Sequence, residues 1–143
     1  SLMIKENDIA AMRMHGEGDA EALRRVVMSM DMDEHSDFTV FEVREVNQAL
    51  VVASAWDHVQ KMRGGADRVV ILLDNMGPVG ARQVNEVLSE SGLRHRCVLE
   101  GSGGVDLDSL SEWNESGVDI VSSSALNRGV VPLDLSMLFE RGS

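Results

Sequence analysis

Residues 69–73 are five consecutive branched apolar residues with no polar alternation, and the run stops at Asp74-Asn75. That pattern predicts a strand buried on both faces, as in a parallel sheet covered by helices. Gly77-Pro78 then open a helix over about 79–91, stopped by Gly92. Upstream, Leu2-Met3-Ile4 is a short apolar run that ends at Lys5-Glu6-Asn7-Asp8, and residues 16–19 read as a turn. Ala22, Leu23, Val26, Val27 and Met30 fall at helical spacing within 20–32. Residues 38–43 are rich in β-branched and aromatic side chains and predict a second strand. Residues 46–62 carry an apolar helical face through Ala49, Val52, Ala53 and Trp56, closed by Gly64-Gly65. Beyond the central strand, 96–100 predicts a fourth strand, 101–104 a loop, and 107–115 a short helix. Residues 118–121 predict a fifth strand, and 133–139 form a final apolar segment.

The order is strand then helix, repeated over short connections, which predicts a parallel sheet with right-handed crossovers. About five or six strands fit, fewer than the eight of a closed β/α barrel. The expected fold is therefore α/β, an incomplete parallel barrel occupying 1–143 as one domain. Its abrupt start on a strand predicts that it is the later part of a longer chain.

Composition narrows the chemistry. Thirteen Lys and Arg against 24 Asp and Glu leave a net charge of −11, a surface that repels nucleic acid and anionic membrane. There is no tyrosine, so an aromatic platform for bases is not expected. Met28, Met30 and Met32 read as gap-filling core. The lone Cys97 reads as a small buried apolar residue in a reducing, cytoplasmic compartment. His15, His35, His58 and His95 lack metal-ligand spacing.

Candidate chemistry lies at strand ends. Lys5, Glu42, Asp74 and the stretch 100–104 each close a strand, and parallel β/α architecture gathers such ends on one rim. Asp74 also has a purely structural reading, as the cap of the next helix. Gly101-Ser102-Gly103-Gly104 exposes backbone amides and lets an anion approach closely, with a helix expected just beyond. The same composition serves any tight turn.

Several segments carry a resemblance. Met3-Ile4-Lys5-Glu6-Asn7-Asp8-Ile9-Ala10 resembles Leu-Ile-Lys-Asp-Asn-His-Ile-Ala of the quinolinate phosphoribosyltransferases. Ile71-Leu72-Leu73-Asp74-Asn75-Met76 resembles the same family's Val-Met-Leu-Asp-Asn-Met. Glu100-Gly101-Ser102-Gly103-Gly104-Val105 resembles Glu-Ala-Ser-Gly-Gly-Ile. Gly117-Val118-Asp119, Ser124-Ala125-Leu126 and Leu133-Asp134-Leu135-Ser136 resemble its closing segment. The resemblance implies the C-terminal incomplete barrel of an enzyme that also has an N-terminal α/β domain and works as a homodimer or higher homo-oligomer. Its reaction joins quinolinate to phosphoribosyl pyrophosphate, giving nicotinate mononucleotide, CO2 and pyrophosphate for NAD synthesis, with Mg2+. It implies Lys5 as the cation facing a substrate carboxylate or phosphate. Asp74 contacts the ribose hydroxyls or the metal, and Glu42, matching the first acid of the family's Glu-Val-Glu-Val strand, joins it as catalytic acid and metal ligand. Ser102, Gly103 and Gly104 hold the 5′-phosphate, while Ser124 and Arg128 stand where the family has a phosphate-contacting glycine and histidine.

Three departures bear on the substrate. Asp8 replaces a family histidine, Arg44 replaces the second acid of a Glu-Val-Glu-Val strand, and the helix before Gly64-Gly65 is longer than the family's. Strand alternation puts Arg44 on the same side as Glu42, where it either binds pyrophosphate or pairs with Glu42. The family's Thr-Arg-Lys and His-Arg motifs have no counterpart, so this chain alone is expected to have little or no activity. Two other readings stay open: a relative that uses nicotinate or another base, and a non-catalytic phosphate-binding barrel fragment.

Overall fold

The structure is a computed structural model that describes residues 2–31 and 38–124. Five strands form one parallel sheet in sequential order: β1 (Leu2–Ile4), β2 (Thr39–Val43), β3 (Val69–Asp74), β4 (Cys97–Ser102) and β5 (Ile120–Ser122). Helices α1 (Glu6–Met12) and α2 (Asp19–Ser29) connect β1 to β2, and α3 (Val46–Arg63) connects β2 to β3. Helix α4 (Gly77–Glu90) and a 3₁₀ turn (Arg94–Arg96) lead to β4, and α5 (Leu110–Asn114) leads to β5. Among the described residues β1 and β5 each pair on one side only, so the sheet is an unclosed β/α barrel, as the element order predicts. No described helix is long and apolar enough to cross a membrane.

The predicted punctuation holds. Gly64 ends α3 at φ +70°, a left-handed cap that suits glycine, and the Gly65 N–H donates to the Gln60 carbonyl at 2.8 Å. Pro78 lies in the first turn of α4, where its missing N–H costs no helical bond.

The central strand departs from the expectation of burial on both faces. Val69, Ile71 and Leu73 are fully buried, while Val70, Leu72 and Asp74 are half-buried. The first set packs with α3 and α4 residues in one hydrophobic core, and the second lines the inside of the unclosed barrel. Five apolar residues in a row do not reveal that the two faces differ. Helix α1 was not legible either, because Ile9 is its one buried side chain and sets no periodicity. Asp8 belongs to that helix: its Oδ2 accepts the Lys5 backbone N–H at 2.9 Å. Of the methionine cluster, Met30 packs against the core and Met28 is exposed; Met32 lies outside the described residues.

Register fixes what faces inward. Glu42 pairs with Leu72, Leu72 with Glu100, and Glu100 with Ile120. Two residues further on, Asp74 pairs with Ser102 and Ser102 with Ser122. Side chains two apart on a strand share a face, so these rows form two successive layers on the inner side. The opposite face carries Leu73 and Gly101, over which Trp113 of α5 is packed and buried.

Candidate active site

Lys5 and Arg44 each follow the last residue of a strand, and both side chains turn to the inner layer of carboxylates. Lys5 Nζ lies 3.6 Å from Glu42 Oε2. Arg44 Nε donates to Asp74 Oδ2 at 3.0 Å, another guanidinium nitrogen stands 4.0 Å from Glu42 Oε1, and a third contact reaches the Glu6 carboxylate. Glu42 and Asp74 are largely covered, with 12% and 18% of their side chains exposed, whereas the two cations are more than half exposed. The result is a continuous line, Lys5–Glu42–Arg44–Asp74, across the C-terminal ends of three adjacent strands. The Arg44 guanidinium is held charged above its ordinary range, chiefly by the Asp74 hydrogen bond and then by the Glu6 charge.

Asp74 does not cap the following helix. Its Oδ1 accepts the Asn75 side-chain amide at 2.9 Å while its Oδ2 serves Arg44. Asn75 adopts φ +55°, the left-handed conformation that asparagine tolerates best among residues with a side chain. That turn lets its backbone N–H reach the Ser102 carbonyl at 2.9 Å and tucks its side chain beneath Gly103. A Cβ at Gly103 would lie 2.7 Å from Asn75 Cγ and 3.0 Å from its Cα, and φ is +91° there. Glycine is thus required at Gly103 on both counts. Asn75 joins the Asp74 end to the glycine turn, a role that sequence reasoning missed; the adjacent Asp-Asn pair after an apolar strand was its signal.

The glycine stretch itself is built differently from expectation. Gly101 and Ser102 are the last two residues of β4, and Gly103 and Gly104 alone make the turn, both with positive φ. No helix starts directly beyond. Residues 105–109 intervene, with Asp106 and Ser109 bonded to each other's backbone N–H at 2.8 and 3.0 Å, before the short α5. Any anion at this turn would therefore meet loop amides and the Ser102 hydroxyl, not a helix terminus.

Glu100, one layer below Ser102, accepts a hydrogen bond from the Ser122 hydroxyl. Ser124 is exposed just past β5; Arg128 and the segments at 125–126 and 133–136 lie outside the described residues. An adjoining cleft of about 220 Å³ opens between α1, α2 and the end of β2, lined by Glu6, Ile9, Arg13, Asp19, Glu42 and Arg44. Glu42 and Arg44 thus border both the cleft and the inner rim, whereas Lys5, Asp74 and Ser102 belong to the rim alone.

The pair expected to hold Mg2+ does not fit it. Magnesium demands near-octahedral oxygen ligands at 2.0–2.1 Å. Each oxygen of Glu42 faces a cation and each oxygen of Asp74 accepts a hydrogen bond. Among the described residues no three His, Cys, Asp or Glu side chains are placed to share a metal ion. Cys97 is buried, and burial pushes its thiol up to about 11, so it is a protonated core residue, as expected.

Comparison with known proteins gives concordant matches. The family model described as quinolinate phosphoribosyl transferase, C-terminal domain, matches residues 1–138. A protein of Methanothermobacter thermautotrophicus named probable nicotinate-nucleotide pyrophosphorylase (carboxylating) is 35% identical over 136 residues, covering 94% of this chain and 42% of its own length. Quinolinate phosphoribosyltransferase (decarboxylating) 1 of Nicotiana glauca is 28% identical, covering 95% of this chain and 37% of its own. The crystal structure of a NadC deletion mutant in a cubic space group superposes with a TM-score of 0.60 at 24% identity, over 88% of this chain and 36% of that one. The chain thus spans about two-fifths of the length of the curated relatives it matches.

Proposed function

The chain belongs to the quinolinate phosphoribosyl transferase C-terminal domain family, and from that membership we propose that it forms the phosphoribosyl-binding barrel of a longer enzyme. That enzyme moves the phosphoribosyl group from phosphoribosyl pyrophosphate to quinolinate, yielding nicotinate mononucleotide, CO2 and pyrophosphate. The observation that carries this reading is the line of alternating charges at the strand ends, with the Gly103 turn bonded to it through Asn75.

The chemistry follows from where charge develops. Breaking the bond between ribose C1 and pyrophosphate leaves positive charge on the sugar and negative charge on the leaving group. Carboxylates already oriented on the rim stabilise the first, and fixed cations the second, without reorganising. Asp74 is the carboxylate for the ribose hydroxyls, and Glu42 supports it from the layer below. Lys5 and Arg44 face the anionic groups, Ser102, Gly103 and Gly104 receive the 5′-phosphate, and Ser124 and Arg128 complete the phosphate contacts. Glu42 and Asp74, already engaged by Arg44, Lys5 and Asn75, are not assigned to magnesium, which would serve by neutralising pyrophosphate charge. Asp8 is occupied in capping α1, so its departure from the family histidine leaves the base unspecified.

The lone cysteine, Cys97, supports a cytoplasmic setting for the enzyme, and the outer edges of β1 and β5, without a strand partner among the described residues, support a homodimer. A monomer in analytical sedimentation would remove the dimer. The decisive test of function is calorimetric titration of the chain with phosphoribosyl pyrophosphate. Saturable binding at about millimolar concentration, weakened at least about tenfold by Gly103→Ala, is expected; absence of saturation refutes the reading. Competition by quinolinate against nicotinate then identifies the base.

A further inference from the structure

Arg44 sits at the centre of three carboxylates, Glu6, Glu42 and Asp74, on the rim that carries the proposed function. We propose that its guanidinium is the resident cation of this rim, standing where a divalent metal would otherwise bridge Glu42 and Asp74. The site accordingly holds its pyrophosphate-bearing ligand without a metal bound to the protein.

The geometry supports each part. Asp74 is occupied on both oxygens, by Arg44 Nε at 3.0 Å and by the Asn75 amide at 2.9 Å. Glu42 is flanked by Arg44 at 4.0 Å on one oxygen and Lys5 at 3.6 Å on the other. A metal at Glu42 and Asp74 would have to expel the guanidinium from these partners or lie against a fixed positive charge that cannot be titrated away. The backbone anchors the residue too, since the Arg44 N–H donates to Gln48 Oε1 at 2.8 Å. The Arg44 side chain is 54% exposed, and its three guanidinium nitrogens, with five N–H donors among them, each face one carboxylate, so donors remain beyond those contacts. A planar fork of this kind recognises phosphate oxygens in pairs. Asp74 and Glu6 orient that fork and prevent it from swinging away from the ligand side.

The inference rests on reading the rim as the phosphoribosyl site, but its test needs no substrate. Mn2+ alone is titrated into the 143-residue chain and followed by electron paramagnetic resonance of the free ion. The wild-type chain shows no site tighter than about 1 mM, whereas Arg44→Gln binds at least about tenfold more tightly. Adding Asp74→Asn to that variant abolishes the gain, and Arg44→Lys, which keeps the charge, remains like wild type. A wild-type site tighter than about 1 mM that depends on Asp74, or an Arg44→Gln chain no better than wild type, overturns the proposal. If the Mn2+ pattern holds while phosphoribosyl pyrophosphate fails to bind, the function is wrong and the metal exclusion stands.

Discussion

Replacing Gly101 by alanine tests whether the rim is held from behind. Gly101 lies on the helix side of β4, next to Ser102, and its φ is not in the left-handed region. Backbone strain is therefore not at issue. Space is: a Cβ would lie 2.7 Å from Cε3 and 2.9 Å from Cη2 of Trp113, and closer still to Cζ3. Trp113 is 1% exposed, so the ring has nowhere to retreat without moving α5. Overpacking of this kind costs about 1–3 kcal/mol. Restricting the unfolded chain returns about 0.4–1 kcal/mol. With a cost near the upper end, because the ring cannot retreat, the net expectation is a loss of about 2 kcal/mol, or a fall in melting temperature of about 6 °C for a chain of this size. Trp113→Leu alone leaves a cavity and also destabilises, but in the double variant the leucine vacates the room that the new methyl needs. Urea unfolding of the four chains should give a coupling of about 1 kcal/mol in the direction of rescue. Wild-type stability in Gly101→Ala, or additive losses in the double variant, would refute the claim that Trp113 fills the place of a Cβ.

Two further outcomes are expected. Glu17 accepts two hydrogen bonds from Arg25, at 2.7 and 2.8 Å, and the Met14 backbone N–H at 2.9 Å; these hold its carboxyl down at about 2 against an ordinary value of 4.5. A depressed folded value means that the stabilisation is present above 4.5 and is lost as pH falls from there towards 2, so Glu17→Gln and wild type should differ in urea midpoint at neutral pH and converge in acid. Asp57, buried at the other end of the sheet, accepts from Arg96 Nε at 2.9 Å and pairs with Lys61 at 2.6 Å, so Asp57→Ala should cost about 3 kcal/mol in denaturant while leaving phosphoribosyl pyrophosphate affinity unchanged where the chain is folded.

The sequence was informative where one residue type has one cheap structural use. Gly64-Gly65, Gly92 and Gly77-Pro78 marked helix ends because their backbone constraints are local. The ends of β1 to β4 gave the rim, since parallel topology delivers consecutive C-termini to one side whatever the helices do. What stayed hidden depended on partners distant in sequence. Nothing near Arg44 says that Glu6 and Asp74 will meet it, and the choice between binding an anion and pairing with a carboxylate depends on the folded positions of all three. Asp8 reads as a site residue because it stands in a motif, yet its bond to the Lys5 backbone uses it for helix capping. The unequal faces of β3 were invisible because branched apolar residues satisfy a helix-covered face and a barrel interior equally.

That mixture of fixed and contingent features has a consequence for the rim. A chain with a net charge of −11 can attract a phosphorylated ligand only through local cations, and the described rim provides Lys5 and Arg44. Both are already engaged, with three carboxylates between them. Charges so arranged orient a ligand better than they attract one, because opposite charges on the rim largely cancel beyond a Debye length of about 8 Å at physiological salt. Affinity must then come from the close-range donors: the Gly103 and Gly104 amides, the Ser102 hydroxyl and the Arg44 N–H groups not directed at its carboxylates. Binding through such contacts should depend little on ionic strength and strongly on geometry. That dependence is why one methyl group at Gly103, which adds no charge, is expected to matter as much as the loss of a cation.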